Sequence, residues 1–435
     1  MKIIFAATPI GGHVNPLLGT MQFLTQSGHD VVGYTGSTLR DSVERTGATF
    51  RPLPWDVDFD LRDIDKGFPD RASYAPGIER MFYDFKTFFL GTMESQYVGL
   101  EQLVDDFDAD MVVYEHLFYG AVPLLLKERS ARPAMIGWGI TYLNTPRQDG
   151  APHGPALPFA TDEVTRKIYA DDAFPGATAA LAPIQELYDT FLRGLGFQNH
   201  ASHFGNSTTL LADAFCQTTV PSFEYPQDQD SSITFVGAAP QMRSTTPLPY
   251  WADELENFSR VVLVTQGTVA NEDFGALVAP SLTALAGEPD TLVLVTTGGR
   301  AVTDFPVDLP ANARIAAYLP FDWLLPKINL LITNGGYGTV NQALAVGVPI
   351  IVAGATEDKP EVAARIAWAG VGIDLKTATP TAEAIRDAVT QIFENQEFAK
   401  CSAGIASEFQ NYDSPAIFMQ TLDRVAESRV DSESV

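Results

Sequence analysis

Cys216 and Cys401 are the only cysteines in 435 residues. With no CxxC spacing and no histidine cluster beside either, neither a disulfide framework nor a zinc site is signalled, and a reducing, cytoplasmic setting is the expectation. No run approaches the ~18 consecutive apolar residues of a membrane span. The apolar start over residues 2–7 is broken by Pro9, Gly11 and Gly12 before a secretory signal could be completed. Positive charge is scarce: 28 Lys and Arg face 54 Asp and Glu, a formal net charge of −26, and such a field repels nucleic acid and anionic membranes. No GxGxxG spacing follows a strand, and no Walker A loop or Gly-x-Ser-x-Gly elbow occurs, which argues against dinucleotide enzymes, P-loop enzymes and α/β-hydrolases. The tripeptide Asp56-Val57-Asp58 spells DxD, but it lies in an acidic loop and reads as solvated surface.

What is present is the alternation of an α/β enzyme. The length exceeds what one core normally serves, so two domains are expected. Short apolar runs at 2–7, 30–34, 111–114 and 134–138 read as buried parallel strands. Helical patterns to Gly28, over 39–45, 78–107 and 120–127 fall between them. Residues 51–76 and 144–183 lack a period and read as irregular loops. A second series begins near Arg260, with strands at 261–265, 291–296, 313–317, 329–333 and 349–353. Two Rossmann-like domains result, 1–240 and 256–410, joined through a Pro-rich connection, with a last helix over 411–428.

The sharpest local feature is Thr333-Asn334-Gly335-Gly336-Tyr337-Gly338-Thr339, between a strand and a helix. Three glycines permit close backbone approach, and a helix N-terminus offers unpaired N–H donors with partial positive charge. In an acidic chain, that is where a diphosphate could bind; the plainer alternative is that the glycines only allow tight strand-to-helix packing. At the other end, Gly11-Gly12-His13-Val14-Asn15-Pro16 places an imidazole after the first strand, at the carboxyl edge of a parallel sheet, where it can take a proton from a hydroxyl.

With Tyr318-Leu319-Pro320 upstream and Thr356-Glu357-Asp358-Lys359-Pro360 downstream, the Gly-rich segment resembles the donor signature of the GT-B family 1 glycosyltransferases, and Gly12-His13-Val14-Asn15-Pro16 resembles their N-terminal element. The resemblance implies two domains facing a cleft, an acceptor-binding 1–240 and a sugar-nucleotide-binding 256–410, with the last helix packing back on the first. It implies inverting, metal-independent transfer of a hexose, with UDP-glucose as co-substrate rather than cofactor, to a hydroxyl of a small lipophilic or aromatic acceptor. Carried over, His13 is the base and Glu115 its orienting acid, where relatives carry Asp. Tyr318 flanks the nucleobase, Thr268, Asn334, Gly336, Gly338 and Thr339 meet the diphosphate, and Asp358 and Lys359 meet the sugar. Asn334 stands where the family has a phosphate-contacting His, and Lys359 where it has Gln. Phe82, Phe118 and Trp138 are expected as acceptor walls. A nucleotide-sugar epimerase of the same fold and a silent nucleotide-binding helper remain as alternatives.

Overall fold

Apolar runs too short for core helices, and covered on both faces, form parallel strands. The computed structural model describes residues 1–75, 77–228, 230–244, 246–267, 273–300, 302 and 308–433. In it β1 (Lys2–Ala6), β2 (Asp30–Thr35), β3 (Thr49–Pro52), β4 (Met111–Glu115), β5 (Ala134–Gly139), β6 (Ala214–Gln217) and β7 (Ile233–Phe235) form one parallel sheet, ordered β3-β2-β1-β4-β5-β6-β7. A second parallel sheet contains β8 (Arg260–Thr265), β9 (Thr291–Thr296), β10 (Ala313–Ala316), β11 (Leu330–Thr333), β12 (Ile350–Val352) and β13 (Gly372–Asp374), ordered β10-β9-β8-β11-β12-β13. Each sheet is wound outward in both directions from a central pair, β1 with β4 and β8 with β11. The chain therefore leaves the carboxyl ends of each central pair toward opposite sides, and the crevice between them is where such folds bind ligands.

Seven helices matter to the site: α1 (Gly11–Gln26), α2 (Ile78–Asp84), α3 (Met93–Phe107), α4 (Phe174–Gly194), α5 (Tyr337–Ala345), α6 (Lys359–Trp368) and α7 (Ser414–Glu433). Two sequence expectations need correction. The 78–107 stretch is not one regular helix: α2 runs on into a wider, π-type turn at Phe85–Phe89, and residues 90–92 break it from α3. The supposed loop 144–183 is helical from Glu163 onward; Pro175 is accepted in the first turn of α4 and Pro183 within it, positions that had masked the period.

α7 returns to the first domain. Its Phe418 meets Trp138 of β5 edge to face, centroids 5.1 Å apart at 85°, and Leu422 and Val425 complete the apolar core beneath β1, β4 and β5. Phe418→Ala should therefore cost the first domain about 3–5 kcal/mol, read by chemical denaturation; a loss below ~1 kcal/mol would make α7 peripheral to that core.

Candidate active site

β1 ends at Ala6, and α1 starts after only four intervening residues, with Ile10 as its N-cap. His13, expected in a loop, instead lies in the first turn of α1, its N–H bonded to the Ile10 carbonyl at 2.9 Å. Its ring points back toward the end of the neighbouring strand β4, where Glu115 is fully buried.

The Glu115 carboxylate gathers four donors. Oε1 accepts from Thr8 Oγ1 at 2.6 Å, the Thr8 N–H at 3.2 Å and His13 Nδ1 at 3.0 Å, while Oε2 accepts the Leu117 N–H at 2.7 Å. Because an ionised carboxylate only accepts, Nδ1 carries the proton and Nε2 is left as the basic nitrogen. Burial alone would raise the carboxyl pKa, but His13, the adjacent His116 and Thr8 outweigh it and pull it down to about 2. Burial likewise disfavours a charged His13; the charge and hydrogen bond of Glu115, with Asp358 and Glu357 further off, reverse that and lift its pKa above the usual 6.5. The imidazole side chain is 14% exposed, and Phe89 stacks on it, centroids 6.0 Å apart at 19°. His116 is held neutral, its pKa lowered by burial to about 4, and packs edge-on against Phe215.

The second sheet presents its own crevice. Gly335 turns the chain out of β11 at φ 94°, where a side chain would also strike Val352; only glycine makes that turn without strain. Gly336 then caps α5, whose first turn holds no acidic residue. A Cβ on Gly336 or Gly338 would meet nothing within 4 Å among the described residues, so the start of α5 borders open space, with Thr339 beside it. Asn334 Nδ2 donates to the Gln266 carbonyl at 2.6 Å, tying the end of β11 to the loop after β8. Thr268 lies outside the described residues. Tyr318, 55% exposed at the end of β10, lies over Gly299.

Asp358 stands at the N-cap of α6 and accepts a hydrogen bond from Thr141 Oγ1, which follows β5 in the other domain. Burial, outweighing Lys359 and Thr141, raises its pKa. Lys359 is buried, and its ammonium pairs with Glu357, a residue held at φ 58° in the left-handed region. The structure thus brings His13, Glu115, Asp358 and Glu357 to one place across the two domains.

The acceptor-wall expectation fails for two residues. Phe118 and Trp138 have no exposed surface: Phe118 packs edge-on against Tyr34, and Trp138 lies on the α7 side of β5. Aromaticity next to a strand end carried no information on which face the ring takes. Phe82 is half-buried against the α4 cluster. The aromatic side chain against the base is Phe89, in the wide turn that follows α2. Thr8, Thr141 and Glu357 were not anticipated, although Thr8 and Thr141 each follow a strand end on the ligand side of the sheet. Asp56 and Asp58 serve as local acceptors, for Ser95 Oγ and for the Ser37 N–H at 2.8 Å. Among the described residues, no group of three or more His, Cys, Asp or Glu side chains is placed to hold a metal ion, and no helix is long and apolar enough to cross a membrane.

The family model described as erythromycin biosynthesis protein CIII-like, C-terminal domain, matches residues 281–425. The chain is 36% identical over 413 residues to 4'-demethylrebeccamycin synthase of Lentzea aerocolonigenes, covering 94% of this chain and 95% of that one. It is 32% identical over 440 residues to UDP-glucosyltransferase A1 of Starmerella bombicola, covering 98% and 92%. Among solved structures, the glycotransferase of kitacinnamycin superposes with a TM-score of 0.71 at 19% identity, covering 98% of each chain. The spinosyn rhamnosyltransferase SpnG complexed with thymidine diphosphate gives 0.68 at 18%, covering 97% and 100%.

A neutral base must accept the proton, so kcat/KM should rise with pH through the His13 pKa, above 6.5. Glu115→Gln removes the main interaction that raises it. The rising limb should move to lower pH, and the plateau should fall at least about tenfold as the ring loses its orientation. A pH–rate profile with an unmoved limb would separate Glu115 from the titrating base.

Proposed function

The chain belongs to the family 1 natural-product glycosyltransferases of GT-B fold, and from that premise we propose that it transfers a hexose from a nucleotide diphosphate sugar, UDP-glucose, to a hydroxyl of a small lipophilic or aromatic acceptor, with inversion at the anomeric carbon. One observation carries this reading: a carboxylate-backed imidazole in one crevice faces, in the other, an open helix N-terminus and the carboxylate of Asp358.

The acceptor lies in the first domain against Phe89, with its hydroxyl at Nε2 of His13. As that oxygen attacks the anomeric carbon, its proton passes to Nε2 while the bond to the diphosphate breaks on the opposite face of the sugar. Glu115 stabilises the imidazolium so formed. The departing diphosphate is held by the N–H groups of Tyr337, Gly338 and Thr339 at the start of α5, which stand ready before charge develops and need no reorganisation. Tyr318 stacks on the nucleobase, and Asp358, one oxygen engaged by Thr141, receives sugar hydroxyls on the other.

Support for the donor and acceptor classes comes from relatives: several are named UDP-glucosyltransferases, and SpnG is described with thymidine diphosphate and with spinosyn aglycone. These names do not favour the epimerase and silent-helper alternatives.

Wild-type protein should glucosylate members of a panel of phenolic, steroid and macrolide alcohols from UDP-glucose, read by mass spectrometry, with an α-linked donor giving a β-linked product by NMR. His13→Ala should lower kcat about 10²–10⁴-fold. Transfer from dTDP-glucose but not UDP-glucose would correct the base; a retained anomeric configuration would refute the displacement. Separately, turnover should persist after chelation with EDTA, and a loss restored by Mg²⁺ would overturn diphosphate stabilisation by backbone donors alone.

A further inference from the structure

Away from the reacting atoms, one buried carboxylate joins the two domains. Glu224 follows β6 in the first domain. Its Oε1 accepts the Leu143 N–H at 3.0 Å and the Tyr337 hydroxyl at 3.2 Å, and its Oε2 accepts Arg365 Nε at 2.7 Å. Tyr337 opens α5 and Arg365 lies on α6, so a single residue holds both helices whose N-termini face the cleft.

The surroundings reinforce that hold. Gln217 Nε2 donates to the same Tyr337 hydroxyl at 2.7 Å, and Thr219 Oγ1 bonds Asn341 Oδ1, one turn further along α5, at 2.5 Å. The Arg365 guanidinium stacks on Tyr142 and Tyr225, each 4.6 Å to the ring centroid, and donates to Glu361 at 2.8 Å. Glu361 in turn accepts the N–H groups of Gly154 and Ala156 from the first domain at 2.7 and 2.9 Å.

This network is costly for an adhesive interface. The Arg365 and Glu224 side chains are 0% and 2% exposed, and desolvating such a pair cancels most of its Coulomb gain. Among the described residues, Arg365 Nη2, Tyr225 Oη, Gln217 Oε1 and His153 Nδ1 are buried without a hydrogen-bond partner, and leaving such atoms unsatisfied is destabilising. An apolar interface would hold the domains together with less penalty, whereas directional bonds from one carboxylate to two helices fix an orientation.

We propose that Glu224 is a positioning residue for the transfer: by engaging Arg365 and Tyr337 together it sets where the N-termini of α5 and α6, and with them the diphosphate site and Asp358, stand relative to His13. The proposal rests on the glycosyl-transfer reading above. Asp358 and Arg365 share α6, separated by about 10 Å of helix, so a tilt at the Arg365 end displaces the N-cap carboxylate. In-line displacement is sensitive to such shifts, a misplacement of about 1 Å costing up to roughly 10²-fold.

The test is Glu224→Gln, which keeps the shape, removes the charge and turns an amide donor toward Arg365. The expected result is a kcat at least tenfold lower with the Kd for UDP, by calorimetry, within threefold of wild type. Amide exchange should quicken at Leu143, Gly154 and Ala156 while β8 and β11 stay protected. The paired variant Glu224→Leu/Arg365→Met should recover thermal stability without recovering kcat. A kcat within twofold of wild type, a loss of UDP affinity parallel to kcat, or recovery of kcat in the paired variant would overturn the proposal. If wild type transferred no sugar from any donor, the glycosyl-transfer reading would fail instead, and unchanged exchange at the three amides would then overturn the positioning role on its own.

Discussion

An ionised carboxylate shut away from bulk solvent is the constraint around which the first domain's crevice is organised. Removing such a charge from solvent costs several kcal/mol, and Glu115 is fully buried. The cost is offset only because Thr8 on the neighbouring strand end, the Leu117 N–H on the outgoing loop and His13 on α1 all converge on it. That convergence requires β1 and β4 to be adjacent, which the order β3-β2-β1-β4 supplies. Sheet topology, helix start and tautomer are thus one problem with one solution. The extra methylene of Glu relative to Asp serves here, letting one oxygen receive Thr8 and His13 while the other turns to Leu117.

The donor half meets the opposite electrostatic demand with few formal charges. Asn334 replaces a possible cation with an amide that donates to the backbone of the loop after β8. The ammonium of Lys359 is taken by Glu357. The positive potential at this sheet edge therefore comes from oriented N–H groups at the start of α5. A chain with a formal net charge of −26 can hold an anion in this way because dipoles act over the first turn, while the net field is screened beyond about 8–10 Å at ordinary ionic strength.

Much of this was legible before any coordinates. Strands buried on both faces announce themselves as uninterrupted apolar runs, and the ends of β1 and β11 carry residues that break the apolar pattern, His13 and the glycines Gly335, Gly336 and Gly338. What was illegible has physical reasons. Proline in the first turn and interior of α4 hid a helix of 21 residues. Phe118 and Trp138 are chemically suited to an acceptor wall, yet all six residues of β5 are buried, so which rings face the cleft is decided by packing rather than residue type. Thr141 and Glu224 draw their roles from partners more than 80 residues away in sequence, Asp358, Tyr337 and Arg365, and no local pattern encodes a contact between domains.

The two crevices also divide the work in a way that explains where sequence signals are strong. Holding a diphosphate needs backbone geometry, and geometry of that kind leaves a written trace: a glycine at φ 94° and two more beside which a Cβ would find open space. Orienting a base needs one carboxylate at the right strand end, a trace of a single residue that gains meaning only when its partner strand is known. Fixing one crevice against the other needs buried polar contacts that could be met by many residue pairs, so it leaves the weakest trace of all. The order of legibility, donor site, then base, then domain registry, follows from how narrowly each task restricts the amino acids that can perform it.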